Sequence, residues 1–165
     1  MSIIEAMKAL QPLLERYHQY KNDKTITGNE RQVGQSLIEP FIRQVLHWET
    51  EKPSQFRVEY PQNGKRMDYL VRYESISQFI IEAKKITRDI FGDEEAYKQA
   101  IRYARGKEKD FAIVTNFKQV VVLRCDRDIH PLQAEIAKFD LVAASDADLQ
   151  IILYFEGSLV NRFNS

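Results

Sequence analysis

The chain has 165 residues, 24 Lys+Arg against 24 Asp+Glu, 44% apolar residues and a single cysteine. At roughly 100 to 200 residues per domain that is one core, and the composition excludes fibrous, low-complexity and globally disordered chains. No apolar run approaches the roughly 18 residues of a membrane helix, and the charged start Met1-Ser-Ile-Ile-Glu5-Ala-Met-Lys8 is no secretory leader. With lone Cys125 unable to form an internal disulfide, the expectation is a cytoplasmic protein with no membrane partner. The zero net charge is an average: residues 1–127 hold 22 Lys+Arg and 18 Asp+Glu, whereas 128–165 hold 2 and 6. A total of zero therefore does not exclude a nucleic acid from meeting the positive part.

Ile4, Met7, Leu10, Leu14 and Tyr17 recur at helical spacing, predicting an amphipathic first helix over the first twenty residues. The polar stretch Lys21 to Gly28 breaks it. A second helix is expected from Asn29, with Val33, Leu37, Phe41, Ile42, Val45 and Leu46 on one face and Pro40 as a bend. From Gln55 the period becomes two. Phe56, Val58 and Tyr60, the turn chemistry of Pro61-Gln-Asn-Gly64, then Met67, Tyr69, Val71 and Tyr73 predict a hairpin, and Ile76 to Ile81 a third, central strand. Gly92-Asp93 opens a helix that carries Ala96, Gln99, Ala100 and Tyr103 on one face and Lys98, Arg102 and Arg105 on another, and Gly106 ends it. Phe111 to Thr115 and Gln119 to Cys125 are two further strands. A last helix starts near Asp146, capped by Ser145, with Leu149, Ile152, Leu153, Phe155 and Leu159 apolar. The order α-α-β-β-β-α-β-β-α predicts an α/β fold, a mixed central β-sheet flanked by helices. The expected divisions are 1–28 as an N-terminal helix and linker, 29–127 as the core, and 128–165 as an acidic linker and helix leading to a further domain.

The chemistry concentrates at Glu82-Ala-Lys84, where an apolar strand runs out. Residues two apart on a strand share a side, and a carboxylate and an ammonium at a core edge are costly unless they neutralise each other or bind something. A turn centred near residue 75 brings Asp68 opposite Glu82. Two carboxylates with too few cations suit a hard divalent ion, Mg²⁺ or a substituting Mn²⁺, and Lys84 can hold or deprotonate a water there. The bland alternative is a strand end closed by a salt bridge. His18, His47 and His130 lack zinc-ligand spacing, and no glycine-rich phosphate loop occurs.

The pattern Asp68-x13-Glu82-Ala-Lys84 resembles the PD-(D/E)xK nuclease superfamily. Gln35 to Ile42, Leu46-His-Trp48, Val58-Glu-Tyr60, Gly64-Lys-Arg-Met-Asp68-Tyr and Ile81-Glu-Ala-Lys-Lys85 are similar to the N-terminal nuclease domain of type I restriction enzyme R subunits and of fused restriction–modification proteins, over roughly residues 29 to 125. The resemblance implies a restriction-endonuclease-like core and a DNA endonuclease with Asp68 and Glu82 as Mg²⁺ ligands and Lys84 as the catalytic lysine. It also implies an accessory acid at Glu30, with Glu39 as second choice. A Gln-x-x-x-Tyr motif at Gln99 and Tyr103 would face the site, with Gln99 orienting the lysine or a phosphate. Met67 stands where the family name has proline. Lys85, Arg88, Lys98, Arg102 and Arg105 are the candidates for phosphate contacts with double-stranded DNA. The implied partners are the motor or methyltransferase and target-recognition parts of a restriction system, with a second copy needed for double-strand cleavage. The competing expectations are a catalytically silent DNA-binding or assembly module of the same fold, and a phosphoesterase for small molecules.

Overall fold

The structure is a computed structural model that describes residues 1–59, 67–73 and 76–157. The expected turn at Pro61 to Gly64, and Leu159 with the residues after it, lie outside the described residues.

Short polar side chains set where the helices begin. Ser2 and Glu5 form a reciprocal capping box at the start of α1 (Ile3–Tyr20), satisfying two amides that the helix leaves without partners. Its buried stripe is Ala6, Leu10, Leu13 and Tyr17. Ile4 and Met7, expected in that stripe, are instead 66% and 51% exposed, because the small Ala6 takes the inward position between them. The polar stretch that follows holds one short turn, α2 (Lys24–Thr27).

Asn29 caps the second helical region, accepting from the Gln32 amide at 3.0 Å. That region is α3 (Glu30–Val33), a wider π-helical segment Gly34–Ile38, and α4 (Glu39–Gln44). Pro40 has no N–H to give the Ser36 carbonyl one turn back, so a regular helix would leave that oxygen without its bond. The backbone widens over the preceding turn, and the Arg16 guanidinium of α1 donates to the Ser36 oxygen at 2.7 Å. The expected bend is thus a π-bulge with a replacement donor.

Six strands form one sheet in chain order: β1 (Phe56–Glu59), β2 (Met67–Tyr73), β3 (Ile76–Ala83), β4 (Phe111–Thr115), β5 (Gln119–Arg124) and β6 (Glu135–Asp140). All neighbours are antiparallel except β3 and β4, which are parallel and joined by α5 (Glu94–Gly106), the crossover such a pair requires. Period two sorts the strand side chains into two cores. Tyr69, Val71, Phe79, Ile81, Ala83, Ile113, Val120 and Val122 meet α1, α3, α4 and α6 (Asp146–Leu153). Leu70, Ile80, Ala112, Val114, Val121 and Leu123 meet the Ala96, Tyr97, Ala100, Ile101 and Ala104 face of α5. The architecture is a mixed sheet with helices on both faces.

Five strands were expected where six occur. β6 has Ala137 and Phe139 turned to the first core and Ile136 left 56% exposed on the sheet edge, so its strongest apolar residue is out of phase with its burial. The acidic stretch 128–157 therefore contributes an edge strand to the sheet and, through Leu149 and Ile152 of α6, part of the first core. Ser145 caps α6 as expected, with Asp148 completing the box. No helix among the described residues is long and apolar enough to cross a membrane.

Residues 155–157 are seated on Trp48, whose indole N–H donates to the Phe155 carbonyl at 2.8 Å, while the Gly157 amide donates to the Leu46 carbonyl at 2.7 Å. A Cβ on Gly157 would lie 2.8 Å from the Trp48 ring. Gly157→Ala is expected to destabilise the fold by about 1–3 kcal/mol, read as a lower urea midpoint at unchanged slope.

Candidate functional site

The register of β2 and β3 places Asp68 directly opposite Glu82, with Tyr69 opposite Ile81 and Leu70 opposite Ile80. Asp68 has the parity of Leu70 and Glu82 that of Ile80, so both carboxylates point to the α5 side of the sheet. Both are fully buried. β1 extends the row, with Glu59 opposite Asp68. Three acids on three adjacent strands therefore share one line across one face.

Among the described residues, a cation that meets the row is Lys84, one residue beyond the end of β3. Its amide donates to the Thr115 carbonyl at 2.9 Å, which keeps the chain aligned with β4 for one further residue. Its side chain is 2% exposed, and Nζ lies 3.0 Å from Glu82 Oε1. The ammonium also donates to Gln99 Oε1 of α5 at 3.0 Å. Gln99 in turn donates to Glu95 Oε1 at 3.3 Å, one turn back on the helix. A buried ion pair depends on the bonds that satisfy its remaining donors, and Gln99 supplies one of them.

Tyr103, one turn after Gln99, donates its hydroxyl to Glu59 Oε2. Burial, then the hydrogen bond to Glu59, then the charges of Glu59, Asp68 and Glu82 push this phenol well above its ordinary pKa, so it stays a neutral donor. Lys107 Nζ approaches Glu59 Oε1 at 3.3 Å and also stands over the Tyr103 ring. Gln99 and Tyr103 thus reach the site together, as their spacing implies, and α5 is tied to β3 and β1 on either side of Asp68. Glu59 is the residue that the sequence reading missed. The turn expected at Pro61 to Gly64 is centred between residues 62 and 63 and would pair residue 59 with residue 66, so that expectation does not reach the observed Glu59–Asp68 register.

The two accessory acids separate. Glu30, at the start of α3, lies within electrostatic reach of Arg88, in the loop that leaves Lys84. Glu39 is on the other face of the sheet: burial raises its carboxyl pKa, opposed by a hydrogen bond from the Tyr69 hydroxyl and by Arg43. Tyr69 belongs to the first core, so Glu39 is removed from the Asp68 side by the thickness of the sheet. It is not a member of this site.

The basic candidates also divide. Arg88 donates twice to the Asp93 carboxylate, at 2.6 and 3.1 Å, and Asp93 is also the cap of α5. Arg105 donates to the Cys125 and Arg127 carbonyls, fastening the end of α5 to the exit of β5. Lys85, Lys98 and Arg102 are exposed. Arg102 lines two adjoining grooves, one of about 270 Å³ with Gln99, Tyr103, Gly106 and Lys107, the other of about 290 Å³ with Lys98, Ile101, Arg105, Ile129 and Pro131. Lys98 and Arg102 therefore flank the side of α5 that carries Gln99 and Tyr103.

Cys125 is a buried free thiol in the second core, and burial pushes its pKa up to about 12, partly offset by Arg105. The native chain is expected to leave Ellman's reagent unreduced at pH 8 and to react with one equivalent once unfolded.

The carboxylates of Asp68 and Glu82 offer oxygen donors, which suit a hard divalent cation. Among the described residues, no three His, Cys, Asp or Glu side chains are grouped so as to hold a metal by themselves. Mg²⁺ does not demand such a cage, because it usually keeps several waters and takes one or two carboxylates together with substrate phosphates. On the chemistry of its donors, the Asp68–Glu82 pair fits that requirement.

No family model matches the chain, and no curated protein or solved structure matches it.

Proposed function

We propose that this chain is a divalent-metal-dependent DNA endonuclease domain with a restriction-endonuclease-like core. The observation that carries the reading is the buried cross-strand pair Asp68 and Glu82 with the Lys84 ammonium 3.0 Å from Glu82 and held by Gln99. A surface salt bridge closing a strand needs neither the second, fully buried acid nor an amide from another element to hold its lysine.

In this reading Asp68 and Glu82 would hold Mg²⁺ or Mn²⁺. Such an ion supplies charge against the phosphoryl oxygens and acidity to a water. The chain's own residues do the rest. Lys84, fixed by Gln99, holds the attacking water and offsets charge on the phosphate. Gln99 keeps the ammonium from turning wholly onto Glu82. Burial of Asp68 and Glu82 keeps bulk water from the pair and strengthens the electrostatic interactions there. Lys85, Lys98 and Arg102 contact the backbone phosphates of double-stranded DNA, which positions the duplex without reading its sequence. Arg88 and Arg105 act first on the fold, orienting the loop after Lys84 and the end of α5. Glu30 is an accessory acid that acts through Arg88.

One protomer presents one such site and nicks one strand, so double-strand cleavage needs a second copy. Sequence choice comes from the other parts of a restriction system, a motor or methyltransferase with its target-recognition region, to which the domain belongs in this reading. The test is nicking of supercoiled plasmid in Mg²⁺, challenged with unlabelled linear duplex and with a small phosphodiester. Inhibition by the duplex alone is expected. Hydrolysis of the small ester that duplex does not inhibit points to a small-molecule phosphoesterase. Binding of duplex with no nicking in either metal, including within the full assembly, leaves a DNA-binding module.

A further inference from the structure

We infer that Glu59 is a positioning residue for Lys84, acting through Tyr103 and the setting of α5 rather than as a metal ligand. The inference rests on the nuclease reading for its consequence in rate, but its structural half stands apart from it.

Lys84 is only as well placed as Gln99, and Gln99 only as well placed as α5. Beyond its core face and the Arg105 bonds at its end, the helix is tied to the acid row by two side chains one turn apart. Gln99 ties it to Lys84 beyond β3, and Tyr103 ties it to Glu59 on β1. Asp68 lies between these ties, opposite Glu82 on one side and Glu59 on the other. Side-chain ends lie roughly 6 Å from a helix axis, so a roll of about 10° displaces them by about 1 Å. A shift of that size at a reacting group can cost on the order of a hundredfold in rate. The Tyr103–Glu59 bond opposes that roll.

The two partners of Glu59 contribute unequally. Lys107 and Glu59 have side chains 39% and 29% exposed, so solvent screens their attraction. The Tyr103 bond is a half-buried phenol donating to a carboxylate, and charge-assisted bonds of this kind are the stronger ones. With one oxygen taken by Tyr103 and the other facing Lys107, both carboxylate oxygens of Glu59 are committed away from Asp68. Glu59 therefore shares the row with the metal-binding pair without joining it.

The test compares Glu59→Ala, Glu59→Gln and Tyr103→Phe in the 165-residue chain. The first readout is ¹⁵N NMR of the lysine ammonium groups. Buried Lys84 should give a slowly exchanging signal that Lys84→Met removes, that Glu59→Ala and Tyr103→Phe broaden or lose, and that Glu59→Gln retains because its amide oxygen still accepts from Tyr103. The second is Mn²⁺ affinity by calorimetry, expected to stay within about twofold in all three variants. The third is single-turnover plasmid nicking, expected to fall about ten- to a hundredfold in Glu59→Ala and Tyr103→Phe with DNA affinity unchanged, and to recover most of that loss in Glu59→Gln. An Mn²⁺ affinity that falls at least tenfold in Glu59→Gln makes Glu59 a ligand and overturns the inference. An unchanged Lys84 signal in both Glu59→Ala and Tyr103→Phe overturns it as well. If the wild type neither binds Mn²⁺ nor nicks DNA while the NMR pattern holds, the positioning stands and the nuclease reading falls.

Discussion

Lys84→Met is expected to lower plasmid nicking by about 10²–10⁴-fold, the usual worth of a positioned acid–base group, while duplex affinity changes by less than about threefold. Methionine keeps the unbranched length that fills the space between Glu82 and Gln99, so the change removes charge and donors more than volume. The loss should appear in the single-turnover rate and not in the DNA concentration for half saturation, since the ammonium is 2% exposed and lies beneath the surface that a duplex would first meet. Restoration of the rate by raising Mn²⁺ is not expected, because Lys84 is no ligand. Nicking at the wild-type rate in this variant places the chemistry elsewhere.

The second large effect separates the two acids, which the sequence alone treats alike. Asp68→Asn is expected to abolish nicking and, because it relieves repulsion between two buried carboxylates on facing strands, to be neutral or slightly stabilising without metal. Glu82→Gln differs. It leaves the Lys84 ammonium buried without its carboxylate 3.0 Å away, and breaking a buried pair from one side costs about 3–5 kcal/mol. Chemical denaturation should show this as a sharply lower midpoint for Glu82→Gln beside an unchanged or higher one for Asp68→Asn. Equal stabilities would mean that the Lys84–Glu82 pair is not the electrostatic closure of the site. The double variant Glu82→Gln, Lys84→Met should recover most of the stability, since the uncompensated charge is then gone.

Much of this arrangement is legible in the residues because strands count in twos. The pairing of Asp68 with Glu82 follows from a short connection centred near residue 75, and α5 from a cap at Asp93, a stop near Gly106 and the small inward residues Ala96, Ala100 and Ala104. The same arithmetic applied to the expected turn at Pro61 to Gly64 misses the Glu59–Asp68 pairing, and Glu59 reads as the polar half of an alternating strand because no motif singles out a glutamate there. Strand β6 hid for a different reason. An edge strand is buried on one side only, and Ile136 points away from the core while the smaller Ala137 points in. In the first helix Leu10 and Tyr17 fall on the buried stripe as expected, but Ile4 and Met7 outweigh Ala6 in any apolar count, although Ala6 is the residue that is buried. The Arg16 bond to the Ser36 carbonyl lies beyond sequence reasoning altogether. Pro40 announces that a carbonyl one turn back will need a donor, but not which distant side chain brings it.

The charge balance gains a physical meaning from the site. Of the 24 acidic residues, Asp68 and Glu82 are fully buried on facing strands, and the Lys84 ammonium lies 3.0 Å from Glu82, so the total of zero says nothing of how charge is placed at the row. A divalent cation there would raise the net charge of the face that Lys85, Lys98 and Arg102 present, and would strengthen attraction to a phosphate backbone in a salt-dependent way. DNA affinity should therefore rise when Ca²⁺ replaces EDTA, with cleavage unsupported, and Asp68→Asn should remove that gain.

The central claim is that the Asp68–Glu82 pair holds a divalent ion, and Mn²⁺ titration followed by electron paramagnetic resonance tests it most directly. The wild-type chain is expected to remove about one equivalent of Mn²⁺ from the free-ion spectrum, displaceable by Mg²⁺, and Asp68→Asn, still folded, to remove none. Binding that is equal in the two proteins, or absent from both with duplex DNA present, contradicts the account.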